Sequence, residues 1–286
     1  MALCTVWATE GYAWLGILPW LLASVGYGAG ILLSKSPLPG EGRSWGQSLM
    51  SYSLVTAAFS AIAAGGSVFS GLIEMVQASA GLSLVECKAL PEVYYSLGMR
   101  AFTIMATIAA TGFGTALIPI VGPAISNVIS VVATLPGLAL SATIMIAFTL
   151  ATFLTIFVTF APAMIPLGVA LLAVPAGKLK GIGGWLIALG LVFSSLGPMV
   201  PAIGVAACSG GGEECSLQSI VSGDLLTNVG QGFMNIVEWL LDPKNNLVMQ
   251  MWRFSLGSMA GWAILMAAAS GLSRGIGGVA ASLGFG

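Results

Sequence analysis

Long hydrophobic runs separated by short polar segments dominate this chain. A run of about 20 apolar residues matches the length of a helix that crosses a bilayer. The pattern predicts about seven transmembrane helices, some broken by proline or glycine. They fall at residues 12–33, 48–73, 101–121, 123–140, 141–172, 182–206 and 247–272. The expected fold class is all-α and polytopic, with residues 1–286 forming a single transmembrane domain.

The longest uncharged tract covers residues 101–177. Prolines predict its breaks, because proline removes a backbone donor and disfavours helix in the residue before it. The expected breaks lie near Pro119, Pro136 and Pro162. The number of crossings within this tract is left open by the residues themselves, although the charges at its ends favour an odd number.

Two longer polar segments, 74–96 and 207–246, are predicted to be outer loops. Within the second, apolar residues recur every four positions over 217–241, which indicates an amphipathic helix. The stripe consists of Leu217, Val221, Leu225, Val229, Phe233, Val237 and Leu241. This helix either packs on the rim of the bundle or lies in the outer interface and contacts a partner.

Composition supports a membrane environment. Only 7% of the residues are charged and 57% are hydrophobic, whereas a soluble domain carries about 25% charged residues. The net charge is −1 and histidine is absent. The chain therefore lacks a basic field that would attract nucleic acid, and it lacks the commonest general base and metal ligand.

Charges and cysteines together predict the orientation. An outside N-terminus and an inside C-terminus in the cell membrane put the basic residues Lys35, Arg43, Lys178, Lys180 and Arg274 inside, as the positive-inside rule requires. The same topology puts all four cysteines outside, where disulfides persist. Pairs Cys208–Cys215 and Cys4–Cys87 are expected, and four unpaired thiols are the alternative. A zinc site is disfavoured by the cysteine spacing.

Several kinds of chemistry find no support in the sequence. There is no phosphate-binding loop of the Gly-Lys-Ser/Thr type, and no residues for a Ser/His or Cys/His pair. We therefore expect a protein that is not an enzyme, with no catalytic residues, no cofactor and no metal. Nearly all ionisable residues fall at predicted span ends or in loops, which argues against ion-coupled pumping. Gly26-x-x-x-Gly30 and Gly177-x-x-x-Gly181 are interpreted as helix-packing motifs.

Residues 160–203 read FAPAMIPLGVALLAVPAGKLKGIGGWLIALGLVFSSLGPMVPAI. An Ala-Pro helix leads to a short basic loop, then Gly-Trp, then a helix with a Gly-Pro break. This order resembles the polytopic inner-membrane subunit of conjugative type IV secretion systems, the TrbL type, and most of all the archaeal CedA-type proteins of the crenarchaeal DNA-exchange system. The positions that carry the resemblance are Pro162, Pro166, Trp185 and Pro198.

The resemblance implies a membrane platform or channel subunit of a DNA-transfer apparatus. It implies a conjugation-type ATPase and pilin subunits as partners, DNA as the transported substrate, and assembly as an oligomer or complex subunit. Lys178 and Lys180 would contact DNA or lipid at the inner face, or would only anchor the helix end. The alternative function is a small-solute transporter, with a midplane site at the broken helices. A membrane-embedded enzyme is disfavoured by the scarcity of catalytic residue types.

Overall fold

The computed structural model describes residues 13–35, 41–64, 87–116, 122–173, 177–209, 215–221 and 247–282. Within these ranges the chain is helical almost throughout and contains no strand, so the expected all-α class is confirmed. The helices are α1 (Ala13–Lys35), α2 (Glu41–Ala64), α3 (Leu90–Ala116), α4 (Gly122–Val132), α5 (Thr134–Ala173), α6 (Gly177–Leu196), α7 (Val200–Ser209), α8 (Leu217–Val221) and α9 (Leu247–Ser282). Short 3-10 turns precede α3 (Cys87–Ala89) and α7 (Gly197–Met199).

Five helical stretches in the described residues are long and apolar enough to cross a membrane. They are Ile17–Lys35, Leu90–Gly114, Thr134–Ala161, Gly181–Ser209 and Leu247–Ile276. Large apolar side chains on them are exposed, including Phe113 at 73%, Met145 at 72% and Ile264 at 66%. Such surfaces are disfavoured in water and suit a lipid environment. The structure therefore fits the multi-span membrane protein expected from the composition.

One expected span boundary is wrong. Separate spans were predicted at 123–140 and 141–172, but residues 134–173 form the single helix α5. Pro136 lies in the first turn of α5, where its missing N–H is not needed by the helix. The amide of Ala133 donates to the carbonyl of Ile129, and that of Gly137 to Ala133, both at 2.8 Å. The helical hydrogen bonds therefore continue across the junction between α4 and α5.

Helix α3 packs antiparallel to the stretch formed by α4 and the first part of α5. Near its start, Gly98 lies against the ring of Phe148, and near its end, Gly112 lies against Ile129. The hydroxyl of Ser126 also donates to the carbonyl of Gly112 at 3.1 Å. As residue numbers rise along α3, the partner residue numbers fall. The tract after α3 therefore returns along it as one helical stretch.

The start of α3 differs from the predicted boundary. A span was expected from residue 101, and residues 74–96 were expected to form a loop, whereas the helix begins at Leu90. Pro91 and Glu92 suit the first helical turn, where no amide partner is required and the helix dipole favours an acidic residue. As a consequence, Arg100 lies ten residues inside a span instead of at its edge.

Only the beginning of the predicted amphipathic helix 217–241 can be compared. Residues 217–221 form α8, in which Ile220 is fully buried. The remainder of that predicted helix, and most of the predicted loop 207–246, lie outside the described residues. The helical reading is thus confirmed for 217–221 only.

The chain divides into two compact units. The first unit contains α1, α2, α5 from Phe157 onward, α6, and α9 from Ala263 onward. The second unit contains α3, α4, α5 up to Ile156, α7, α8, and α9 up to Trp262. A core cluster of the first unit consists of Ile165, Val169, Leu172, Ile187, Ala188 and Ile276, with Leu191 packed against it.

Glycines mark the closest helix contacts of the first unit. A Cβ added at Gly30 of α1 would lie 2.8 Å from the carbonyl oxygen of Gly46 on α2. A Cβ added at Gly183 of α6 would lie 2.6 Å from the carbonyl oxygen of Gly168 on α5. The packing role expected for Gly26-x-x-x-Gly30 is confirmed. At Gly181 an added Cβ would meet nothing within 4 Å, so the expected role of that glycine is wrong and Gly183 has it instead.

Candidate functional site

The second unit contains a buried group of polar side chains, which we call the hydroxyl cluster: Tyr94, Ser255, Ser258 and Trp262. Three of them belong to α9. Ser255 and Ser258 are 1% and 0% exposed, and Trp262 is 6% exposed. Their spacing of three and four residues places them on neighbouring turns of one helix face. This face is polar in the middle of a stretch that is otherwise apolar enough to cross a membrane.

Small residues of α7 and α9 bring the two backbones close together at this level. A Cβ added at Gly204 of α7 would lie 2.5 Å from the Oγ of Ser258 and 2.8 Å from the ring of Phe254. A Cβ added at Gly257 of α9 would lie 2.5 Å from the Cβ of Ala207. Glycine is therefore required on both helices for this approach. The close contact shields the hydroxyl of Ser258 completely.

The fourth member, Tyr94, comes from the first turns of α3. Its side chain is fully buried, and its ring packs against Phe254 with a centroid separation of 6.3 Å and an interplanar angle of 38°. The Tyr94 hydroxyl faces the side chains of Ser258 and Trp262. Three groups that can donate a hydrogen bond thus converge between α3 and α9.

The three hydroxyls of the cluster lack hydrogen bonds of ordinary geometry to protein groups of the described helices. They are the buried hydroxyls of Tyr94, Ser255 and Ser258. A buried hydroxyl without a partner costs about 1–3 kcal/mol. The arrangement is therefore unusual for the interior of a helix bundle.

The other buried serines and threonines of the described helices behave differently. Each donates to a carbonyl three or four residues earlier in its own helix, at 2.8–3.0 Å. They are Ser53, Thr56, Ser60, Thr107, Thr143 and Ser194. This local bond is available to any helical serine or threonine. Ser255 and Ser258 do not use it, so their hydroxyls are directed away from their own backbone.

Sequence reasoning did not find the hydroxyl cluster, because it looked for ionisable groups inside spans. The available signal was Ser255-x-x-Ser258-x-x-x-Trp262 interleaved with Gly257 and Gly261, which puts polar and small residues on one helix. It also missed Arg100, which was assigned to a span end. The Arg100 side chain is half-buried on α3. An arginine inside an apolar span is a candidate functional position.

The four positions that carry the family resemblance all lie in the first unit. Pro162 and Pro166 are part of α5, Trp185 lies on α6, and Pro198 lies in the 3-10 turn after α6. Pro166 and Pro198 are buried, whereas Trp185 is 43% exposed. The side chain of Pro162 lies outside the described part. The four positions therefore lie on α5, on α6 and in the turn after α6, and α5 and α6 meet at the contact between Gly168 and Gly183.

Lys178 and Lys180 belong to the first turns of α6, although their side chains lie outside the described part. Trp185 follows one to two turns later and is exposed. Lysines and a tryptophan at a span end are typical of a membrane interface.

The cysteines expected to pair in the second outer segment do so. Cys208 ends α7, and its sulfur is bonded to that of Cys215, with the two Cα atoms 5.9 Å apart. The prediction of a Cys208–Cys215 disulfide is confirmed. Cys87 begins the turn before α3. Its expected partner Cys4 lies outside the described residues, so the second pairing stays a prediction.

Comparison with known protein families, with curated proteins and with solved structures finds no match for this chain. The described residues form an all-α protein with five candidate membrane spans, one disulfide, and a buried hydroxyl cluster between three helices.

Proposed function

We propose that this chain is a multi-pass subunit of the cell membrane that forms a platform or channel for DNA transfer, energised by a separate ATPase. The observation that carries the proposal is the resemblance of residues 160–203 to the conjugation subunit. Three of its four positions lie on α5 and α6, and the fourth, Pro198, lies in the turn directly after α6; all four belong to one unit.

The packing of this segment supports a structural role. In the stretch Gly181–Ser209, 61% of the most apolar window is buried, against 17–33% in the other four candidate spans. A span with so many protein neighbours is suited to organising a bundle. The partners in this proposal are a conjugation-type ATPase, pilin subunits, membrane lipid and further copies or subunits of the apparatus.

A DNA route must offset phosphate charge, because an uncompensated anion is expensive in a low-dielectric setting. The candidate spans of the described residues contain few basic residues: Lys35 and Arg274 lie at span ends, and Arg100 and Arg253 are half-buried on α3 and α9. The route is therefore wide and hydrated, and is shared among several copies or with partners. Lys178 and Lys180 stand at its inner end and contact DNA or anchor the helix to lipid.

The test is transfer of a marked DNA between cells. Deletion of the gene abolishes transfer while growth stays normal, and the wild-type chain restores it. A chain in which Gly183 is replaced by leucine does not restore transfer, because the α5–α6 contact is broken. The matched Gly181→Leu chain restores it, because nothing lies within 4 Å of a Cβ at that position. Normal transfer in the deletion strain contradicts the proposal.

A small-solute transporter is the second candidate, and one specific observation favours it. The hydroxyl cluster and Arg100 place polar groups inside candidate spans, where transporters hold their substrates. Loss of uptake of a particular solute in the deletion strain, with DNA transfer unchanged, selects this function instead.

The proposed topology has the N-terminus outside and the C-terminus inside. Five spans in the described residues and the seven crossings expected from the hydrophobic pattern are both odd, so both counts put the two ends on opposite sides. The two counts differ at two places. One is α2, which runs antiparallel to α1 and whose predicted span continues to residue 73, beyond the described part; the other is the tract 101–177, where three spans were expected and the candidate spans are Leu90–Gly114 and Thr134–Ala161. The two counts place Cys87 on different sides of the membrane.

Labelling with an impermeant thiol reagent tests this topology. After reduction, Cys87 reacts from outside if there are seven crossings and only from inside if there are five. A tag at the N-terminus is reached from outside in both cases. An N-terminal tag that is reached only from inside contradicts the proposed orientation.

A further inference from the structure

We propose that the hydroxyl cluster is a binding site for internal water, in which one or two molecules link α3 to α9 through Tyr94, Ser255 and Ser258. The site is defined by protein groups and does not rest on the proposed function. It would be present in a platform subunit and in a transporter alike.

The first step of the argument is the direction of the serine hydroxyls. The other buried serine and threonine side chains of the described helices donate to their own backbone, and this bond needs no partner from elsewhere. Ser255 and Ser258 forgo it, although they are among the most buried. Their hydroxyls are therefore left without the local bond and are available to a partner between the helices.

The second step is convergence. The Tyr94 hydroxyl faces Ser258 and Trp262 but makes no hydrogen bond of ordinary geometry to either. A molecule bridging these groups could satisfy several of them at once. Buried waters typically make about three hydrogen bonds to polar groups that otherwise lack partners. The cluster offers three hydroxyls, each able to donate and to accept.

The third step concerns the chemical class of the ligand. The four side chains of the cluster are uncharged, so they cannot offset the desolvation free energy of an ion. A divalent cation would need about six oxygen ligands, and the cluster supplies three side-chain oxygens. The close contact of Gly204 with Ser258 excludes a large solute. A small neutral molecule that both donates and accepts hydrogen bonds fits, and water is that molecule.

Radiolytic hydroxyl-radical footprinting of the full-length protein in lipid nanodiscs tests the proposal, because radicals formed from a bound water oxidise the side chains beside it. Tyr94 is compared with Tyr52, a buried tyrosine of α2. Tyr52 is 7% exposed and Tyr94 is 0% exposed. Exposure alone predicts faster oxidation of Tyr52. A water site predicts the reverse, with a Tyr94-to-Tyr52 rate ratio above one.

Variants connect the signal to the hydroxyls. Ser258→Ala lowers the Tyr94-to-Tyr52 ratio below one. Ser194→Ala leaves the ratio unchanged, because the Ser194 hydroxyl already donates to the carbonyl of Leu191. A second variant, Tyr94→Phe, removes a single oxygen and keeps the ring, so it preserves the packing against Phe254. It lowers the oxidation rate of Trp262.

Three outcomes overturn the proposal. A ratio below one in the wild-type protein shows that the cluster is dry. A ratio above one that Ser258→Ala does not lower shows that the water is held by other groups. A Tyr94 oxidation rate that changes when chloride is replaced by gluconate shows that the cluster binds an anion instead of water.

Discussion

Replacing Gly183 by alanine is the most direct test of the α5–α6 contact on which the proposed platform depends. Gly183 is buried, and a Cβ built there lies 2.6 Å from the carbonyl oxygen of Gly168, 3.1 Å from the amide nitrogen of Leu172 and 3.2 Å from the Cβ of Leu171. Two of these three atoms belong to the backbone of α5. They cannot rotate away, so the helices must move apart.

The size of the effect follows from these distances. Carbon–oxygen contacts are normally at least about 3.3 Å, so α5 and α6 must separate by roughly 0.7 Å at this point. A gap of that order loses about a quarter to a half of each dispersion contact across it. The core cluster formed by Ile165, Val169 and Ile187 spans the same two helices. Overpacking of this kind costs about 1–3 kcal/mol.

Gly181→Ala is the matched control, two residues away on the same helix. An added Cβ there meets nothing within 4 Å, and alanine is favoured over glycine in a helix by up to about 1 kcal/mol. The two variants should therefore change the free energy of unfolding in opposite directions. The assay is unfolding in mixed micelles by increasing fractions of sodium dodecyl sulfate. Equal shifts of the same sign for both variants would refute the close approach of α5 and α6 at Gly183.

Three further predictions concern other parts of the chain. Reduction of Cys208–Cys215 should lower the free energy of unfolding by about 2–3 kcal/mol, because the bond closes a short loop; free thiols at both positions in native membranes would contradict the bond. The thiol introduced by Leu179→Cys should not react with an impermeant reagent added outside, and rapid labelling would show that the orientation is the opposite of the proposed one. Gly26→Ala should cost about 1 kcal/mol by displacing the Ser53 hydroxyl from its hydrogen bond. That cost should disappear when Ser53→Ala is already present, and an equal cost in both backgrounds would exclude the contact.

Some features could be predicted from the residues because they are local. The helical class and the apolar spans follow from composition and from run length. The Cys208–Cys215 bond follows from two cysteines separated by a flexible Ser-Gly-Gly-Gly-Glu-Glu segment. The contact at Gly26 and Gly30 follows from a spacing that puts both glycines on one helix face.

Other features could not be read from the pattern. The prolines predict span breaks, yet Pro136 lies in the first turn of α5 and Pro166 lies inside α5. A proline can break a helix or be accommodated in one. Its missing N–H matters only where a carbonyl of the preceding turn would otherwise accept a hydrogen bond from it. Arg100 was assigned to a span end because a charge usually marks one, and the start of α3 at Leu90 places it inside.

By itself the sequence determined that this is an all-α chain with helices suited to a membrane, because it has too few charged side chains to form a hydrated protein surface. Tertiary structure alone decided which faces meet. A span that is apolar on every side carries no periodic signal for its buried face, so the partners of α3, α5 and α9 could not be inferred. The hydroxyl cluster shows the reason most clearly. A helical serine can donate to the backbone of its own helix or face a neighbouring helix. Only the tertiary structure, which places Tyr94 of α3 beside Ser258, distinguishes these two orientations.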